Sequence, residues 1–419
     1  MCRAIVFALF FFKFIGLATF SVITISRKKK LKKRTLFVSS KLGTCYNVSI
    51  ACFIVASNYF TISILYYEDY ANETIVATVI GIAHGVLGTV ITFIILLCYC
   101  ANQSIFVKFG NSLVEILEEL DRLRKPVNRK RIVFILLSIY LFELVLLLAL
   151  VISDYVAYHS HLISWMATIV PMSLVSWVFI QYYSVLIVLH VMYANLNKII
   201  LNIYVHRTDA ANCLHRSSRV FINSTGIQSL LNLRCIHAHL CDISAQVSQF
   251  YSLPILLGTF LLLISLSYSV YYIFQPLMVD NVIMETSIVL NNVIWTIFLL
   301  YPLGLLTTRV TKLENEVRRI EKLPGNCFHV SLSWNLFIGQ TEKTELKLFS
   351  LQLLHRQIKF TAMGYFVLDN TLFQSVLSTT TTYLVILIQF QMGGPESIDC
   401  NCNHTCNCNK QKHFSEGKI

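Results

Sequence analysis

Twelve histidines and thirteen cysteines would be enough to build a metal centre or arm a nucleophile, so their spacing decides the first question. No two histidines make a His-x-x-x-His pair with a flanking glutamate, the pattern that sets two imidazoles on one helix face around zinc. His159 and His161, like His237 and His239, stand two apart, which on a helix sends them to different faces. There is no glycine-rich phosphate loop and no Gly-x-Ser-x-Gly elbow. With no catalytic constellation, the pattern argues against an enzyme, and no cofactor is expected. Cys400, Cys402, Cys406 and Cys408 are spaced like metal thiolates. Their short polar tail offers no second pair at zinc-finger distance, so disulfides or free thiols are expected there and no metal. Cys45, Cys52, Cys98 and Cys100 lie in or beside apolar runs, where cysteine acts as a small hydrophobe.

The other chemistry-bearing residues lie inside apolar runs. Glu143 sits midway along one. An acid there is costly, and either contacts an ion or ligand or is satisfied by a neighbouring helix. His84 lies toward one end of another, either packed through a hydrogen bond or meeting a ligand. Aromatic and amide groups gather at the same level: Trp165 and Trp177, then Tyr268, Tyr271 and Tyr272, then Asn291, Asn292 and Trp295. An interfacial belt accounts for Trp165 and Tyr272. Asn291 and Trp295 lie deeper and, four apart, share a face, which suits the wall of a small-molecule pocket. The ligand-binding candidates are therefore His84, Trp177, Asn291 and Trp295. In the last apolar run, Thr382, Ile386 and Gln389 share one helix face, and a glutamine near the end of such a run needs a partner or water.

These residues must be held by membrane helices. The 419 residues are 55% hydrophobic and only 13% charged, against about a quarter charged in soluble domains. Mean hydropathy is +0.63. Seven runs reach membrane length, near 43–66, 75–100, 132–153, 163–192, 249–274, 285–308 and 364–391. Their unbroken apolar character predicts helices rather than a barrel of alternating strands, so the fold class is all-α and polytopic with seven transmembrane helices. An eighth stretch, 4–25, is interrupted by Lys13 and lacks a small-residue cleavage site. It is expected to lie on the membrane surface without crossing.

Charge sets the orientation. Arg27–Arg34 holds seven basic residues in eight, and the loops 101–131, 194–246 and 309–363 hold seven, five and nine. The short loops 67–74, 154–162 and 275–284 hold none. The positive-inside rule places the N-terminus in the cytoplasm and the C-terminus outside. The net charge of +12 thus reports topology and not nucleic acid, for which no motif is present. The expected organisation is a cytoplasmic segment 1–42, a six-helix region 43–308, a cytoplasmic region 309–363, the seventh helix 364–391 and an extracellular tail 392–419. Apolar stripes predict an amphipathic helix over 110–124 and another over 342–360, with a break at Pro324-Gly325 before the second. Of the glycosylation sequons, only Asn72 and Asn403 fall outside.

The C-terminal motif adds a resemblance. Thr382-Tyr383, five hydrophobic residues and Gln389-Phe390 match the signature of insect gustatory receptors. The match extends upstream through Leu348–Arg356, Phe360-Thr361-Ala362, Gly364 and Leu368-Asp369-Asn370. Phe14-Ile15-Gly16-Leu17 with Phe20-Ser21 resembles the segment these receptors carry before their first span. Tyr365 departs from the usual Phe, and Gln357 from a common Pro. The resemblance implies a ligand-gated, non-selective cation channel for a small organic tastant. It further implies a homotetramer, or a heterotetramer with related receptors, at the plasma membrane of sensory neurons in dendrite, axon or soma. Thr382, Tyr383, Ile386, Gln389 and Phe390 would then line the pore and its gate, the 342–360 helix would anchor the subunits, and spans two to six would surround an outward pocket. An odorant receptor shares the topology but lacks the Thr-Tyr…Gln-Phe run. A G-protein-coupled receptor needs the opposite orientation, and a transporter would show paired broken helices.

Overall fold

A computed structural model describes residues 2–26, 33–67, 75–123, 129–158, 164–214, 224–274, 286–333, 344, 348, 351–352, 355–356 and 358–392. The apolar runs become helices, as backbone groups in hydrocarbon require. In chain order α1 (Cys2–Phe14) precedes a hairpin of β1 (Ser21–Ser26) and β2 (Lys33–Val38). Then come α2 (Lys41–Tyr67), α3 (Ile75–Ala101), α4 (Gln103–Leu123), α5 (Arg129–Tyr158), the single turn α6 (Ser164–Ala167), α7 (Ile169–Leu214), α8 (Ser224–Phe274) and α9 (Thr286–Ser333). A short hairpin of β3 (Thr361–Ala362) and β4 (Phe366–Val367) leads to α10 (Asn370–Met392).

Among the described residues six helices, α3, α5, α7, α8, α9 and α10, contain stretches long and apolar enough to cross a membrane. The seventh expected span coincides with α2, whose 27 residues measure about 40 Å. Helices α7, α8 and α9 have 46, 51 and 48 residues, far more than the ~20 that a bilayer needs. They therefore continue well past the expected spans.

Two boundaries are corrected and two details are added. The last span begins at Asn370, not 364, because residues 361–367 form the β3–β4 hairpin. Met363 (φ 51°) and Gly364 (φ 79°) make its left-handed turn, a conformation costly for most side chains. Second, α9 does not break at Pro324-Gly325 but runs on to Ser333. One missing N–H is outweighed by the cooperative turns around it. Third, the apolar stretch 4–25 is split. Helix α1 is 13 residues long, about 20 Å and shorter than the hydrocarbon, and the strand β1 follows. Fourth, the fold therefore carries two small hairpins within its all-α frame. The sequence of β1, Ser-Val-Ile-Thr-Ile-Ser, is rich in β-branched residues; its apolarity read as a membrane segment.

The core is built around α7. Val178, Phe179, Ile180, Leu186, Leu189, Met192, Tyr193 and Leu196 are all fully buried. Three of them are consecutive, so the helix is enclosed on every side. Helices α8 and α9 pack on α7, α5 packs on α9, and α10 rests on α8 and α9.

Candidate functional site: a polar helix face and a polar layer

The segment before α10 is pinned to α8. Arg356 Nη1 donates to Asp242 Oδ1 at 2.8 Å, and Gln352 Nε2 to the Arg234 carbonyl at 3.2 Å. Phe360 is fully buried, and the Met363 N–H donates to Ser252 Oγ at 2.5 Å. Asp369 caps the helix, its Oδ1 accepting the Thr371 N–H at 2.9 Å. The motif residues His355-Arg356, Phe360-Thr361-Ala362, Gly364 and Leu368-Asp369-Asn370 thus include the anchor, the turn and the cap that fix where α10 starts.

Along α10 one stripe is buried: Leu372, Val376, Thr380 and Leu384, four residues apart. Ser378, Thr381, Thr382, Val385 and Ile386 instead line an open groove of about 470 Å³. Tyr383 and Gln389 are also exposed. The side chain of Phe390 lies outside the described residues. Thr381 and Thr382 donate to the carbonyls of Leu377 and Ser378 at 2.9 and 3.1 Å. Each hydroxyl spends its proton on its own helix and keeps an acceptor oxygen free for water or a cation.

At the other end of the helices lies a layer of polar contacts. His84 Nε2 and Ser265 Oγ are 2.6 Å apart, and the imidazole lies parallel to the Tyr268 ring, centroids 6.3 Å apart. Ser265 also reaches Met172 Sδ at 3.5 Å. Ser153 Oγ donates to Asn291 Oδ1 at 2.7 Å, and Asn291 Nδ2 to Asp154 Oδ1 at 3.4 Å. Trp165 Nε1 donates to the other Asp154 oxygen at 2.9 Å. Ser269 Oγ donates to the Asn292 carbonyl at 2.8 Å. The layer links α3, α5, α6, α7, α8 and α9.

Among the ligand candidates, His84 and Asn291 stand in this layer, and Trp295 lies one turn below Asn291, edge-on to Phe298 at 6.1 Å. Trp177 belongs elsewhere. It is buried against Phe11, Phe12 and Tyr140, with centroids at 4.5, 6.2 and 6.0 Å. Glu143 is fully buried and accepts a hydrogen bond from Ser176, while its Oε2 has no partner among the described residues. Sequence reasoning missed Ser265 and Ser269, although two serines four apart in an apolar helix are a legible signal. Asn72 and Asn403 lie outside the described residues.

This arrangement, an apolar helix bundle with one polar flank and a polar layer at the far end, can now be set beside known proteins. A family profile described as 7tm chemosensory receptor matches residues 6–393. The chain belongs to that family. Among the receptor's curated relatives, putative gustatory receptor 28b of Drosophila melanogaster is 27% identical over 173 residues, 41% of this chain and 36% of that protein. Putative gustatory receptor 2a of the same organism is 57% identical over 44 residues, 10% of each chain. The gustatory receptor for bitter taste 66a is 27% identical over 195 residues, 45% of this chain and 35% of that protein. The matches thus span about a third or less of the relatives' length. The fold matches the insect olfactory receptor OR5 from Machilis hrabei, with a TM-score of 0.57 at 11% identity, covering 93% of this chain and 98% of that one. The receptor is an all-α polytopic membrane protein of the chemosensory class.

Proposed function

We infer that the receptor is a subunit of a ligand-gated, non-selective cation channel that detects a small organic tastant. Four copies, or this chain with related receptors, bring the exposed face of α10 together around a central axis. The N-terminus is cytoplasmic, the C-terminus is extracellular, and the assembly sits in the plasma membrane of sensory neurons. One observation carries this reading: α10 buries Leu372, Val376, Thr380 and Leu384 within its own subunit and leaves Ser378, Thr381, Thr382 and Gln389 exposed. Lipid does not solvate such a face, whereas neighbouring subunits and a water-filled pore do. Ile386 and Phe390 would close the pore by excluding water, and the Gln389 amides would replace part of an ion's hydration when the helices part. The outer layer around His84, Asn291 and Trp295 would hold the ligand.

A panel of candidate tastants, read by calcium imaging and whole-cell current in cells expressing this chain alone or with related receptors, tests the reading. Gln389→Ala should shift the reversal potential or raise resting leak. An unchanged reversal potential and leak in a normally expressed variant removes Gln389 from the pore.

A further inference from the structure

Neither the pore face nor the polar layer uses Glu314, a buried carboxylate on α9. That helix opens at Thr286, and 28 residues at 1.5 Å each put Glu314 about 42 Å along it, past the ~30 Å of hydrocarbon. Arg318 Nη2, one turn on, donates to Glu314 Oε2 at 3.4 Å, and the Arg318 side chain is largely exposed. Glu314 Oε1 is enclosed and has no hydrogen-bond partner among the described residues. An ionised carboxylate offers about four acceptor sites, so a charge here is under-satisfied.

The segment that starts the last helix lies against this group. Lys359, the Phe360 N–H and Asp369 face the carboxylate from that segment, and Tyr182 faces it from α7. Phe360 and Leu368 are buried, and the Leu368 N–H donates to the Phe360 carbonyl at 2.9 Å. One turn before Glu314, Thr311 Oγ1 accepts the Asn370 N–H at 3.1 Å. Asn370 is the first residue of α10. Thr311 and Glu314, three apart on one face of α9, thus meet both ends of the β3–β4 hairpin. Burial raises Glu314 above the usual carboxylate range, and the like charge of Asp369 adds to it. Arg318, the Phe360 N–H and Lys359 pull the other way without cancelling the rise.

We propose that Glu314 binds a proton from the adjoining aqueous phase, and that this proton sets how firmly the hairpin holds the base of α10. In the orientation read from the loop charges, that phase is the cytoplasm. As a neutral acid, Glu314 stays under the hairpin with no charge to desolvate. As a carboxylate it gains by reaching water, and the hairpin is the cover that must give way. A buried acid with a raised pKa stabilises its cover fully below the ordinary carboxylate range. That contribution is lost as pH rises through the raised value. Acid therefore tightens the base of α10, and alkali loosens it.

Hydrogen exchange of the purified full-length receptor in detergent tests this without ligand or current, so its outcome is independent of the channel reading. Wild type and Glu314→Gln, whose amide stays neutral, are compared at the same pH, which cancels the intrinsic exchange rate. Peptides covering residues 358–372 should exchange faster in the wild type at pH 8. The ratio of the two rates should fall toward one as pH is lowered to about 4.5, where an ordinary carboxyl group is half protonated. Each unit by which burial raises the pKa separates the two at pH 8 by up to about tenfold. Arg318→Gln removes an exposed positive neighbour. It should exchange faster than wild type at pH 8 and alike at the acid end, which keeps the test open if Glu314→Gln does not fold. Arg319→Gln, whose partner is Glu316, should match the wild type throughout. A ratio that is the same at every pH, or Arg318→Gln exchange equal to wild type at pH 8, overturns the proposal. So does a pH-dependent ratio spread evenly over peptides of α7 and α8, since the proton would then govern the whole bundle and not the hairpin.

Discussion

Helices α5 and α10 are equally little covered by the rest of the chain, each with 17% of its most apolar stretch buried, yet they expose different chemistry. The bare face of α5 carries Phe134, Leu137, Leu141, Val145, Leu148 and Ile152. The bare face of α10 intersperses Gln374, Ser375, Ser378, Thr381, Thr382 and Gln389 with Leu377, Tyr383, Val385 and Ile386. Exposure in this chain therefore has two meanings. A hydrocarbon face is finished, because lipid is its partner; a face that also carries amides and the free acceptor oxygens of hydroxyls is unfinished, because lipid satisfies neither. The contrast with α7, 78% buried, separates both from the subunit's core.

The largest expected effect comes from placing the same charge on each bare face. Leu141→Arg puts a cation against lipid, costing about 2.5–3.5 kcal/mol on insertion scales. It should strongly reduce the amount of receptor at the cell surface. Thr381→Arg should leave surface expression near normal and suppress cation current. Surface biotinylation with current recording checks both, and equal loss of expression would erase the distinction between the faces.

A smaller effect separates the two sides of α5. Its covered side carries Glu143, which accepts a hydrogen bond from Ser176 on α7. Glu143→Ala leaves that hydroxyl buried without its partner, a loss of about 1–3 kcal/mol. Glu143→Gln keeps an acceptor in place. Thermal unfolding of the purified variants should show Glu143→Ala clearly lowered and Glu143→Gln closer to the wild type; equal melting would mean the pair contributes nothing. The smallest effect belongs to the outer layer. Asn291→Ala should remove one hydrogen bond to a neutral ligand, about 0.5–1.5 kcal/mol, which raises the half-maximal concentration about two- to tenfold. An unchanged dose response with normal expression would make Asn291 structural only.

The contrast between the helices was partly legible. Thr382, Ile386 and Gln389 on one face follow from helical spacing, and the span positions follow from hydropathy. Which side of α10 is covered needed the structure, because only packing shows that Leu372, Val376, Thr380 and Leu384 are the buried set. Element ends were less legible. The turn at Met363-Gly364 shortens the last span by six residues from 364 to Asn370, a result of local backbone conformation that apolar content hides. In the outer layer, Asn291 and His84 were visible as polar groups in apolar runs. Their partners Ser153, Asp154 and Ser265 were not, since each lies on another helix than the residue it meets. Trp177 was misleading for the same reason: depth along the sequence does not say that Phe11 and Phe12 cover it.

The central claim is that the exposed face of α10 meets water in an assembled pore, and substituted cysteines test it most directly. Thr382→Cys and Leu141→Cys would each be exposed to a charged, membrane-impermeant thiol reagent from the outside during a ligand-evoked current, with the unsubstituted receptor as the control for its native cysteines. The account predicts that the current through Thr382→Cys falls progressively while that through Leu141→Cys stays at the control level. A Thr382→Cys current that never departs from the control, in a receptor that responds normally to ligand, would contradict it.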